Sequence, residues 1–72
     1  MNEQFLRYSL THGRKIKAVL LTGTGFETFN ILVTAMTEDT FTFVSSRNKV
    51  PRTEPLSVLM AASYARGDHG EE

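Results

Sequence analysis

The chain has 72 residues, of which 40% are hydrophobic, eight are basic, eight are acidic and none is cysteine. A domain this small buries only about 60% of the surface its unfolded form exposes, so its margin of stability is thin. The missing cysteine excludes disulfides and thiolate-bound metals, and no apolar run approaches the roughly 20 residues of a membrane-spanning helix.

The opening MNEQFLRYSL carries Glu3 early and has no long apolar centre. It does not read as a signal peptide, and cytoplasm is the expected compartment. Net charge is zero but unevenly spread. Up to Thr53 there are seven basic residues and four acidic ones, a balance of +3; from Glu54 onward there is one basic residue and four acidic, a balance of −3. A basic body of this size permits anion binding but falls short of the large excess typical of a strong nucleic-acid binder.

Residues 2–10 are expected to form a short helix. Phe5, Leu6, Ser9 and Leu10 share a side at helical spacing, with Asn2 as cap and Gly13 as a left-handed terminator. Residues 15–21 read as a strand in which Ile16, Ala18 and Leu20 form the apolar face. Leu21-Thr22-Gly23-Thr24-Gly25-Phe26 follows, with two glycines one residue apart. A phosphate loop needs such glycines to feed a helix N-terminus. Here they lead into FETFNILV, a strand pattern, and no Gly-Lys-Ser or Gly-Lys-Thr follows. The glycines are therefore expected to reverse the chain in a hairpin, with one of them supplying positive φ.

The second strand, residues 26–37, places Phe29, Ile31, Val33 and Ala35 on one face and Phe26, Thr28, Asn30, Leu32 and Thr34 on the other. After the polar turn Glu38-Asp39-Thr40, residues 41–46 form a third strand rich in aromatic and β-branched residues. Arg47-Asn48-Lys49 is a further turn. Thr53-Glu54-Pro55 resembles a helix start. Beyond it the pattern admits two solutions: one helical turn over residues 55–58 followed by a strand, or one longer helix closed by Gly67. The first is the expectation carried forward. Residues 1–67 then form a single domain and residues 68–72 a flexible acidic tail.

Catalytic and metal-binding sets are not assembled by this sequence. His12 falls in a turn, His69 in the tail, and there is no G-x-S-x-G and no paired carboxylate on one strand face. The expectation is a non-enzymatic protein with no cofactor and no metal. The basic residues carry more. Arg14, Lys15 and Lys17 open the first strand, while Arg47, Lys49 and Arg52 surround the turn after the third. A curled sheet would bring the two clusters together. Phe41 and Phe43 are either core or a platform on which bases stack beside cations. Arg14, Lys15, Lys17, Phe41, Arg47, Lys49 and Arg52 form the candidate nucleic-acid site, for RNA or single-stranded DNA.

Several short segments carry a family likeness. Gln4-Phe5-Leu6 in the helix, Leu21-Thr22-Gly23 after the first strand, Asp39-Thr40-Phe41 before the third and Pro55-Leu56-Ser57 before the last together resemble the Sm-like (Hfq-type) small barrels. The resemblance spans most of the chain, to about Tyr64. It implies a ring-forming RNA-binding protein in which Gln4 and Phe41 contact and stack on a uridine. The chain departs from that family at Arg52-Thr53-Glu54, where a Tyr-Lys-His signature is usual and a glutamate would repel phosphate. Its second strand is longer and lacks the usual glycine. The SH3-like barrel of WYL domains fits the same order of elements. The expected architecture is mainly β with short α: an SH3-like or Sm-like barrel of about five antiparallel strands behind a short N-terminal helix. A small core without covalent staples also favours homo-oligomers formed through strand edges. That gives a second functional expectation, a protein-interaction or self-assembly module. No membrane partner is expected.

Overall fold

The computed structural model describes residues 2–67. Helix α1 (Glu3–His12) leads into strands β1 (Ile16–Thr22), β2 (Gly25–Met36), β3 (Thr40–Ser45) and β4 (Arg52–Pro55); a 3-10 turn (Leu56–Val58) then enters β5 (Leu59–Tyr64). The expected acidic tail, residues 68–72, lies outside the described residues. The fold is mainly β, with five antiparallel strands in one sheet.

The strand order is β4-β3-β2-β1-β5. The sheet does not close into the expected barrel: β4 and β5 form its two edges and do not pair with each other. Pro51 precedes β4, and Pro55 is the last of its four residues. Lacking amide hydrogens, they limit how far this edge can extend a ladder.

Helix α1 stops where glycine permits it. Gly13 sits at φ 65°, and its N–H donates to the Ser9 carbonyl at 2.9 Å. Glu3 in the first turn and His12 in the last suit the helix dipole. The helix ends two residues later than its sequence pattern suggests, at His12, and its buried side is Leu6, Tyr8 and Ser9. Leu10, expected to face inward, is exposed. Asn2 stands at the N-cap but makes no side-chain cap bond.

The core lies between α1 and one face of the sheet. Leu6 and Tyr8 meet Ile16, Ala18 and Leu20 of β1, Ile31 and Val33 of β2, and Phe41 and Phe43 of β3. Leu56, Val58 and Leu59 close over it from the 3-10 turn and the start of β5. The apolar residues of β5 form a strand because β1 offers it a partner: Ile16 faces Tyr64 and Val19 faces Ala61. Tyr64 also packs edge-on against Phe5 and Tyr8 of the helix, with ring centroids 5.0 and 4.9 Å apart. Arg52-Thr53-Glu54-Pro55 is strand, since Thr40, Phe41, Thr42 and Phe43 present a ladder to it, and the expected helical turn begins only at Leu56, with Pro55 as its N-cap, before the strand β5. Side-chain packing and pairing outweigh the local helix signal there.

β2 serves two partners. Its first half pairs with β1 as far as Ile16↔Ile31, and its second half pairs with β3 from Ile31↔Ser45 onward. The β3 register slips between Val33 and Ala35, so Thr34 is the additional residue of a bulge. The bulge turns Ala35 outward, where an unbroken alternation would bury it, and Met36 packs against the core instead. Val33 lies two residues beyond the last β1 pair. Its N–H donates to Ser9 Oγ at 2.9 Å, and Ser9 is the one fully buried polar side chain among the described residues.

Hydroxyl side chains nucleate the three chain reversals of the sheet. Thr22 Oγ1 accepts from the Thr24 amide, Thr37 Oγ1 from the Thr40 amide and Ser45 Oγ from the Asn48 amide, at 3.2, 3.0 and 3.0 Å. In the first of these, Thr22 pairs with Gly25, leaving Gly23 and Thr24 to reverse the chain. Gly25 has φ 120°, a conformation that L side chains rarely adopt, whereas Gly23 is not at positive φ. Gly25 opens a strand and no helix, so the double glycine builds a hairpin and not a phosphate cradle.

Ser9→Ala strands the buried Val33 amide and should cost about 1–3 kcal/mol. Urea denaturation should show a lower midpoint with unchanged slope, and a loss below about 0.5 kcal/mol would refute the role given to Ser9. Gly25→Ala should destabilise by more than about 1 kcal/mol, while Gly23→Ala stays within about 0.5 kcal/mol. Equal effects from the two substitutions would contradict this assignment.

Candidate nucleic-acid interface

The two basic clusters, distant in sequence, meet through β2. Lys15 Nζ donates to Ser46 Oγ at 3.3 Å across 31 residues of chain. The Ser46 amide donates to the Asn30 carbonyl at 3.0 Å, and Asn30 is the cross-strand partner of Lys17. The turn carrying Arg47 and Lys49 is thereby docked beside the start of β1. Arg47 Nη2 donates to the Thr28 carbonyl at 3.3 Å, and its guanidinium lies 5.3 Å from the centroid of the Phe29 ring. That contact holds a long, entropy-rich side chain against the sheet while leaving it exposed. Lys15, Lys17, Arg47 and Lys49 are all exposed.

Three expected members stand apart. Arg14 is exposed just after the helix terminator, and its amide donates to the Ser9 carbonyl at 3.3 Å. Arg52 lies on edge strand β4, where Nη2 meets Glu54 Oε2 at 2.8 Å and the guanidinium covers the Phe43 ring at 5.4 Å. Its charge is already partnered. Phe41 is corrected outright. It is 0% exposed and stacks on Phe43 with ring centroids 5.2 Å apart, so no base can reach its faces. The inward side of β3 is the core side, and a ring placed there fills volume. Gln4, the other residue implicated by the family likeness, is exposed on α1.

The most exposed aromatic among the described residues is Phe26, at 69%, paired across the hairpin with Leu21 at 45%. Sequence alternation already set Phe26 on the polar side of β2 with Thr28 and Asn30. An aromatic ring out of place in a polar stripe was the available signal.

Among the described residues no three metal-ligating side chains converge, and no helix is long and apolar enough to cross a membrane. No family model, curated protein or solved structure matches the chain. The functional inference therefore rests on this geometry.

Proposed function

We propose that the chain is a small non-enzymatic module of Sm-like or SH3-like type, acting in the cytoplasm, that binds nucleic acid weakly through Lys15, Lys17, Arg47 and Lys49. The observation that carries this reading is the Lys15–Ser46 contact, which holds the start of β1 beside the turn that carries Arg47 and Lys49. A helix ahead of five antiparallel strands, with a short turn into the last, supports the likeness to those small barrels. Cations gathered on a sheet surface neutralise phosphates, and binding of that kind weakens steeply with salt. Four cations predict modest affinity, in keeping with the zero net charge of the chain.

A second reading, self-assembly, is favoured by the edges. β5 (Leu59–Tyr64) contains no charged residue and no proline, and Met60 and Tyr64 are exposed along it. Such an edge is a template for another strand. Antiparallel pairing of β5 in one copy with β5 of another would be isologous and would generate a dimer.

Fluorescence anisotropy with labelled single-stranded RNA and DNA at two salt concentrations tests the first reading. Binding should appear at low salt and weaken as salt rises, and Lys15→Glu with Arg47→Glu should abolish it; no binding at low salt would sink the reading. Light scattering tests the second. A multimer that Met60→Lys returns to monomer supports assembly through β5, whereas a strict monomer at high concentration rejects it.

A further inference from the structure

The outer face of the sheet, opposite the core, has a polarity of its own. On β1 the side chains alternating with buried Ile16, Ala18 and Leu20 are Lys17, Val19 and Leu21, and their cross-strand partners on β2 are Asn30, Thr28 and Phe26. One end of this face is therefore cationic and amide-bearing, and the other is apolar with a bare aromatic ring. Ala61 and Ser63 of β5 extend it beside Val19 and Lys17. None of these residues is acidic. Glu27, the nearest carboxylate in sequence, pairs with Leu20 and by alternation belongs to the opposite side.

We propose that this face binds a single-stranded nucleic acid, with Phe26 as the base-stacking platform and Lys17, with neighbouring Lys15, as the phosphate contacts. The inference rests on the nucleic-acid reading above and extends it to the mode of binding. From Phe26 to Asn30 the strand advances about 14 Å, at about 3.4 Å per residue. A short oligonucleotide spans that distance, and single-strand sites on small barrels cover about 4–16 nucleotides. Phe26 offers a ring face that only an unpaired base can use, because bases in a duplex already stack on one another. Charge complementarity selects this occupant over a second copy of the chain, since two such faces would oppose their own lysines. Leu21, beside Phe26, extends the apolar footing for the base.

The chain contains no tryptophan, so Phe26→Trp introduces a single fluorescent reporter at the proposed platform. Titration with an oligothymidine of about ten nucleotides should quench its emission, with the same midpoint as anisotropy of the labelled oligonucleotide. Phe26→Ala should weaken binding about tenfold and leave the slope of log affinity against log salt unchanged. Lys17→Ala should lower that slope by about 0.7. Phe26 is largely exposed, so its substitution spares the core, and circular dichroism checks the fold. Wild-type affinity in Phe26→Ala, alongside a weakened Lys17→Ala, would overturn the stacking platform and leave the basic interface standing. Preference for a duplex of equal length would also overturn it, as would a Phe26→Ala variant whose only change is from multimer to monomer. Failure of the wild-type chain to bind any nucleic acid at low salt would instead reject the nucleic-acid reading itself.

Discussion

The hydrogen bond from the Val33 amide to Ser9 Oγ occupies the point on which the architecture turns. β2 has 12 residues and must pair with β1 along one half and β3 along the other. Where β1 runs out, a backbone donor faces the interior, and an unpaired buried amide is costly. The helix meets it with a hydroxyl. That contact sets where α1 lies on the sheet, and it does so beside the bulge that shifts β2 against β3. Leu6 and Tyr8 are then carried over the inward faces of β1, β2 and β3. A leucine in place of Ser9 would add apolar area yet leave the amide without a partner.

The division of β2 between two partners also builds the surface. Ile31 is the residue shared by both ladders, and Asn30 beside it accepts from Ser46 at the start of the β3–β4 connection. Lys17 is opposite Asn30, and Lys15 reaches Ser46. The same strand that organises the core thus gathers cations from either side of itself. Its outward alternation ends at Phe26, which no element covers. Basic and aromatic groups come to share a face because one long strand links both of its neighbours to a single register.

The two edges are managed differently. β4 is short, follows Pro51 and ends in Pro55, and Arg52 and Glu54 pair along it. These are features that discourage further strand addition. β5 has neither charge nor proline. An 8.1 kDa chain with no covalent staple has little stability in reserve, and an uncharged edge of six residues offers a way to gain more by association. Both proposed activities, at the sheet face and at its edge, leave the core untouched.

Much of this fold was legible in the residues themselves. Alternation set the inward face of β1 and put Phe41 and Phe43 on one face of β3, glycine marked the end of the helix and the first hairpin, and short polar segments marked the later reversals. These signals are local, arising from backbone conformation and period-two burial. What depended on partners was not legible. β4 resembled a helix start until β3 offered it a ladder, the helix buried Tyr8 in place of Leu10, and the bulge at Thr34 reversed the fate of Ala35. The open sheet, the burial of Phe41 and the neutralisation of Arg52 by Glu54 likewise emerged only in three dimensions. The sequence by itself determined which residues alternate and where the chain must turn, because those are properties of a few neighbouring bonds. Only the tertiary structure decided which aromatic faces solvent and which cations meet, because burial and proximity belong to segments some thirty residues apart, such as Lys15 and Ser46.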